Sequence, residues 1–267
     1  MTLRVNALKI SRPELEDKLK ACAFICEPTR FSPDGLNLPD APRPIQKTTF
    51  FKEGLLRLQD EAAQLVSYLV SPVGGQNILD VCSGSGGKTG HLAALMKNEG
   101  RIVALDRDAG KIAQLKKDAS RMGVDIIEPL QADLNQPLSA EFAEKFDQVL
   151  VDAPCSGTGT LRRNPEIKWR LTASELNMLS NTQKNLLHHA ASAVKKGGRL
   201  VYCTCSVLPQ ENEEVVRQFL TNHPHFNILT PPAAISGNLI DSRGFLKTYP
   251  HRHHTDGFFG AVLRHRI

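Results

Sequence analysis

The fold is decided by ILDVCSGSGGKTGHLAALM, residues 78–96. It reads as a short apolar strand, a turn carrying Gly84, Gly86 and Gly87, and a helix that follows without a linker. In an open α/β sheet such a corner binds ligands, because glycines let the backbone approach a bound molecule and the first helical amides point at it. Outward from it the same alternation repeats. Helical patterns at 60–70, 89–97, 110–122, 172–194 and 210–222 alternate with β-rich apolar runs at 77–81, 101–106, 125–131, 147–152 and 199–204. This predicts a mostly parallel sheet covered on both faces, a doubly wound, Rossmann-like α/β domain. FFGAVLRHR, from Phe258, predicts a last strand at or near the sheet edge.

Upstream, LRVNAL alternates like a short strand, and Ser11 with Glu14 forms a capping-box signature opening a helix through PELEDKLKACAF. Cys22 and Cys26 fall inside that helix, where they are expected to pack as small hydrophobes. EPTRFSPDGLNLPDAPRPIQK, residues 27–47, reads as a linker or exposed loop. These features predict a small N-terminal α+β extension over 1–45 and a catalytic domain over 46–267.

Composition is ordinary for a soluble globular chain, at 41% hydrophobic and 23% charged residues in 267. No apolar run approaches the ~18 residues of a membrane span, and MTLRVNALKI has neither the apolar core nor the cleavage site of a secretory leader. Six cysteines without a disulfide framework fit a reducing compartment, so the expected location is cytoplasmic. The formal charge of +5 permits a polyanionic partner. Local clustering is more telling: Arg162, Arg163, Lys168 and Arg170 crowd one segment around Trp169. The His251-Arg252-His253-His254 run reads as an exposed loop.

Three ligands compete for the glycine turn. A nucleoside triphosphate loop, G-x-x-x-x-G-K-[ST], has its tail in Gly87-Lys88-Thr89, but its leading glycine would fall on Cys82. A dinucleotide fingerprint uses Gly84 and Gly86 but meets Thr89 at its third position. S-adenosylmethionine has no pyrophosphate to cradle; its site wants acids at successive strand ends for the ribose hydroxyls and adenine amine. Asp80, Asp106, Asp133 and Asp152 fall there. Any one of them could simply cap the next helix, but several in series favour a methyltransferase scaffold.

VDAPCSGTG, residues 151–159, and LVYCTCSV, residues 200–207, then bear on the atom methylated. Carbon 5 of a pyrimidine is too poor a nucleophile to take a methyl group until a thiolate has added at carbon 6. The carbon 5 proton must afterwards leave and the thiolate be eliminated, which suits a second base or release group. Cys155 and the Cys203/Cys205 pair, at two strand ends, could divide that labour, with Asp152 holding the pyrimidine ring. Strand alternation puts Cys203 and Cys205 on one face. A zinc site from Cys155, Cys203, Cys205 and a histidine is the competing reading, but it lacks a second C-x₂₋₄-C pair. A thiol-redox enzyme would show C-x-x-C at a helix start, which is absent.

In order, LRVNALK, LQDEAAQLV, CSGSGGKTGHL, DAPCSGTGTLRRNPEIKWR, LVYCTCSVLPQENEEVV and DGFFGAVL resemble the RNA cytosine-5 methyltransferases of the NOP2/Sun group, with wording most similar to the bacterial 16S ribosomal RNA members. The resemblance covers nearly the whole chain. It implies that Cys205 attacks carbon 6, that Cys155 helps release product, and that Cys82, Ser83, Gly84, Ser85, Gly86, Gly87, Lys88, Asp106, Asp133 and Asp152 contact S-adenosylmethionine. RNA is the implied partner, ribosomal RNA ahead of tRNA. A noncatalytic RNA-binding scaffold of the same fold would be favoured by loss of Asp152 or Cys205, and both are present.

The family usually reads Cys-Ala-Ala-Pro-Gly-Gly-Lys where this chain has Cys82-Ser83-Gly84-Ser85-Gly86-Gly87-Lys88. The extra glycine and lost proline predict a looser turn and weaker methyl-donor binding. Many bacterial relatives carry an all-helical RNA-binding domain before LRVN. RNA docking is therefore expected from residues 1–50, the catalytic domain with Arg162, Arg163, Lys168 and Arg170, or a helper protein.

Overall fold

The computed structural model describes residues 1–133 and 136–267. The N-terminal part contains β1 (Thr2–Val5), α1 (Arg12–Ala21), β2 (Ile25–Pro28), β3 (Gly35–Asp40), α2 (Thr49–Lys52) and β4 (Leu56–Leu58). There follow α3 (Glu61–Val70), β5 (Asn77–Asp80), α4 (Gly87–Leu95), β6 (Arg101–Asp106), α5 (Ala109–Met122), β7 (Ile127–Gln131) and β8 (Phe146–Asp152). The rest comprises α6 (Ile167–Arg170), α7 (Ala173–Ala191), β9 (Val194–Thr204), α8 (Glu213–Asn222), β10 (Phe226–Leu229), β11 (Leu246–Thr248), α9 (Pro250–His253) and β12 (Phe258–His265).

The large sheet has the order β10-β12-β9-β8-β5-β6-β7, with β11 paired to β12. Strands β5 to β9 pair in parallel, and β12 runs antiparallel beside β9 and β10. Its strands read as apolar runs because both faces are covered. Leu79, Val103, Val149, Leu200 and Tyr202 pack on the α7 and α8 side, while Ile78, Ile102, Leu150, Val201 and Cys203 pack on the α3 and α4 side. The chain moves outward from β5 in one direction through β6 and β7, and in the other through β8 and β9. That reversal opens a crevice at the strands' carboxyl ends.

Residues 1–58 form a four-stranded antiparallel sheet, β2-β3-β1-β4, packed on α1. The sheet draws in β4, so this unit continues past residue 45. The stretch expected to be a linker supplies two strands instead: Leu36 and Leu38 are buried on β3, Pro28 sits on the edge strand, and Pro39 lies beyond the residues paired with β1. Proline is tolerated at such places. Helix α1 ends before Cys22, and Cys26 lies on β2, buried; the positive φ of Ala23 turns the chain between them. Likewise the helix expected from 210 begins at Glu213, after a 3₁₀ turn at Pro209–Glu211.

Two buried side chains of β1 and its following turn tie this unit to the large sheet. Arg4 donates to Gln59 Oε1 at 2.6 Å and to the Gly87 carbonyl at 2.5 Å, and burial drives its pKa down to about 9. Asn6 Nδ2 donates to the carbonyls of Gly54 at 2.8 Å and Met122 at 2.7 Å. Gly54 has φ of +72°, and a Cβ there would stand 2.0 Å from the Arg121 carbonyl, so the two units meet backbone to backbone. Asn6→Ala strips the amide donor from two buried carbonyls. The expected outcome is a loss of about 2 kcal/mol, read as a lower urea midpoint with unchanged slope.

Candidate active site

The crevice is a cleft of about 450 Å³ at the carboxyl ends of β5, β6, β8 and β9. Cys82, Gly84, Lys88, Asp106, Asp133, Asp152, Cys155 and Cys205 all line it, and α7 closes one side with Leu179, Thr182 and Leu186. Parallel pairing sets this convergence. Asp152 at the end of β8 lies opposite Cys203 of β9, so the residues just after each fall side by side.

The glycine turn divides its residues between ligand face and support. Gly84 and Gly86 have φ of +56° and +81°, which explains glycine at both. The Gly84 N–H donates to Asp106 Oδ2 at 2.9 Å, and the Asp108 N–H to Oδ1 at 2.9 Å. Ser83 is buried, and its N–H donates to the Leu105 carbonyl at 2.9 Å. Ser85 accepts from Arg57 Nη2 through both its carbonyl and its hydroxyl, each at 3.1 Å, and Asp118 holds Arg57 at 2.5 Å. A Cβ on Gly86 would stand 2.7 Å from Leu115 Cγ, and the Gly87 carbonyl accepts from Arg4. The turn expected to be loose without proline is therefore braced by Arg57 through the serine at that position. Cys82, Gly84 and Lys88 reach the cleft, while Ser83, Ser85, Gly86 and Gly87 are not among its lining residues. Asp80 turns inward: it is fully buried, accepts from Thr89 Oγ1 at 2.7 Å, and desolvation raises its pKa to about 7.

Inside the cleft, Lys88 Nζ donates to Asp152 Oδ2 at 2.6 Å and the Cys203 thiol to Oδ1 at 3.3 Å. Cys203 packs as a core residue, and burial pushes its pKa well above the ordinary thiol value. The sulfurs of Cys155 and Cys205 lie 3.3 Å apart. A hydrogen bond links them. The hydrogen bond from Cys155 lowers the Cys205 pKa, against desolvation and Asp152, with Lys88 assisting. The same bond, then burial, raise Cys155 well above an ordinary thiol. For Lys88, burial disfavours the charge, but Asp152 outweighs it and holds the ammonium above the ordinary lysine value. The strand end bearing Cys205 is pinned from outside. Gly159 N–H donates to the Cys205 carbonyl at 2.9 Å and Gly257 N–H to the Gly159 carbonyl at 2.8 Å. A Cβ on Gly159 would meet that Gly257 carbonyl at 1.9 Å.

The basic segment splits. Arg163 grips Asp256, which is fully buried, through Nε and Nη2, and Arg162 reaches Asp60, Asp256 and the His254 carbonyl. Both guanidiniums thus neutralise buried carboxylates while staying about half exposed. Lys168 stacks over Trp169, which is 81% exposed, and Arg170 borders a recess beside Cys155. The histidine run forms α9 and the turn after it, largely exposed. Sequence reading also passed over Ser156, Ser206 and buried Glu211, which link the two cysteine loops. The signal was there in a serine after each cysteine.

A doubly wound sheet with a reversed antiparallel strand, a glycine turn and acids converging on the switch point defines a Rossmann-like methyltransferase scaffold. The sequence profile described as "16S rRNA methyltransferase RsmB/F" matches residues 67–264. The chain is 37% identical over 268 residues to a probable ribosomal RNA small subunit methyltransferase B of Synechocystis, covering 99% of this chain and 60% of that one. A protein of the same description from Bacillus subtilis is 36% identical, with 98% of this chain and 59% of that one covered. A crystal structure described as a methyltransferase homolog protein from Pyrococcus horikoshii superposes with a TM-score of 0.84 at 30% identity, covering 100% of this chain and 86% of that one. The chain belongs to the RsmB/F family of 16S rRNA methyltransferases, and it spans about 60% of the length of the curated relatives it matches.

The ion pair generates a prediction about the thiol beside it. Lys88→Met removes a cation that favours the Cys205 thiolate and leaves Asp152, which opposes it, uncompensated. The pH midpoint of iodoacetamide labelling at Cys205 is expected to rise by about one unit or more. Quantitative peptide mass spectrometry reads it, and an unchanged or lower midpoint overturns the assignment.

Proposed function

We propose that this chain transfers a methyl group from S-adenosylmethionine to carbon 5 of a cytosine in ribosomal RNA, through a transient Cys205 adduct at carbon 6. The observation that carries the reading is the pair of sulfurs 3.3 Å apart in the cleft, with the Lys88–Asp152 pair beside them. The cleft's donor set fits the methyl donor: Asp106 and Asp133 offer carboxylates for ribose and adenine groups, and Cys82 and Gly84 border the same space. Bound there, S-adenosylmethionine would supply an electrophilic methyl group with a good leaving group.

The remaining chemistry belongs to the chain. The Cys205 thiolate forms the sulfur–carbon bond, and the carbon 5–carbon 6 π pair shifts onto carbon 5, which then becomes the nucleophile. Asp152 would hold the pyrimidine's polar edge, with Lys88 fixing its orientation. After methylation the carbon 5 proton leaves to a base; its electron pair re-forms the double bond and expels the Cys205 thiolate. Cys155, hydrogen-bonded to that sulfur, is the group assigned to assist release. Lys168, Trp169 and Arg170 give an exposed cation–aromatic edge beside Cys155, suited to phosphates and an unstacked base. Arg162 and Arg163, half exposed, would extend it.

Two experiments test this reading. With RNA and methyl donor, Cys155→Ser should accumulate a denaturation-resistant protein–RNA adduct, and Cys205→Ser should form neither adduct nor 5-methylcytosine. The reverse pattern swaps the roles, and 5-methylcytosine from Cys205→Ser ends the proposal. For docking, Lys168→Ala should lower the salt slope of RNA binding by about one, and Trp169→Ala should weaken binding by roughly 1–3 kcal/mol. Filter binding across a salt series checks both.

A further inference from the structure

We propose that Glu211 is a positioning residue that sets the two cleft thiols against each other by binding the serine that follows each cysteine. The inference rests on the adduct reading for its catalytic meaning. Cys155 and Cys205 arrive on separate loops, after β8 and β9, and nothing covalent fixes their separation. Each is followed by serine. Ser156 donates to Glu211 twice, from its N–H to Oε1 at 2.8 Å and from its hydroxyl to Oε2 at 2.5 Å. Ser206 donates its hydroxyl to that same Oε2. Gln183 of α7 completes the set, donating to Oε1 at 3.0 Å and to the Pro154 carbonyl at 2.9 Å. One carboxylate thus grips both loops one residue from each sulfur.

The carboxylate itself cannot drift. Glu211 is fully buried, and its own carbonyl accepts from the Tyr202 hydroxyl at 2.5 Å. Four donors converge on two oxygens, so a neutral replacement leaves hydroxyls or an amide unpaired in the interior. Glu211 is not among the residues lining the cleft, and it acts through its neighbours. Its placement also breaks the symmetry between two chemically identical thiols. The Glu211 carboxylate raises the Cys155 thiol, whereas at Cys205 Asp152 raises and Lys88 lowers, with Asp152 the stronger of the two. With the hydrogen bond between the sulfurs lowering Cys205 and raising Cys155, and Glu211 adding to the rise at Cys155, the proton is kept by Cys155 and Cys205 is left as the nucleophile.

The test uses the full chain, free of RNA, labelled with iodoacetamide across the neutral to alkaline range. Peptide mass spectrometry follows Cys155 and Cys205, with the exposed Cys22, remote from the cleft, as internal reference. The wild-type chain is expected to label Cys205 ahead of Cys155. In Glu211→Gln this preference should fall about tenfold, the change carried by one pKa unit. The turnover number for RNA methylation should drop while KM for RNA holds. Ser156→Ala/Ser206→Ala keeps the carboxylate but removes both hydroxyl donors, and it carries the positioning test should Glu211→Gln melt early; its preference should also fall. Unchanged selectivity in that double variant, or in folded Glu211→Gln, overturns the proposal. Methylation by Cys205→Ser would instead defeat the adduct reading, whatever the labelling shows.

Discussion

Parallel pairing of β8 with β9 is the constraint on which the site depends. In a parallel pair both strands deliver their following loops to the same edge of the sheet, and the register places Asp152 opposite Cys203. Asp152-Ala-Pro-Cys155 and Cys203-Thr-Cys205 then leave adjacent strands in the same direction, and their sulfurs meet without any insertion to bring them together. A one-residue slip would exchange the faces of β9 and carry Cys203 and Cys205 away together. The core prevents it, because Leu200 and Tyr202 pack on one side and Val201 and Cys203 on the other.

Around this seam the structure fixes polar groups by long-range contacts. Arg57 on the N-terminal sheet holds Ser85, Arg4 holds Gly87, and Lys88 at the start of α4 holds Asp152 from β8. The small sheet is thereby part of the cleft's architecture even though it contributes no residue to the cleft lining. It supports the glycine turn from behind, and the turn presents Cys82, Gly84 and Lys88 forward.

How far the sequence was legible follows from the range of the interactions involved. The large sheet could be read because strands buried on both faces leave continuous apolar runs, as in ILDV and QVLVDA. Strands β2 and β3 could not, because they are short and broken by Pro28 and Pro39, and β3 joins the rest of its sheet only through β1, across the intervening helix α1. Acids at strand ends marked the cleft, yet Asp80 belongs to the interior, where Thr89 satisfies one oxygen. Arg162 and Arg163 are expected to dock RNA, and nothing local in the sequence shows that Asp256 holds them from across the fold. The ranking of Cys205 over Cys155 came from family resemblance, since spacing alone treats two strand-end thiols alike.

What separates those thiols is the field each one sits in. Two cysteines 3.3 Å apart cannot both be anions, because like charges at that distance in a desolvated cleft repel strongly. At least one proton therefore stays on the pair, and which sulfur gives its proton up first is a matter of neighbouring charge. The hydrogen bond from Cys155 lowers Cys205, with Lys88 assisting against Asp152, and the Glu211 carboxylate adds to the rise at Cys155, so both favour the proton on Cys155. On the proposed adduct mechanism the same arrangement would serve release, since a thiol already bonded to the leaving sulfur could share its proton as the carbon–sulfur bond breaks. A single hydrogen bond between like residues thus becomes directional through unlike surroundings, with Asp152 and Lys88 acting on Cys205 and Glu211 on Cys155.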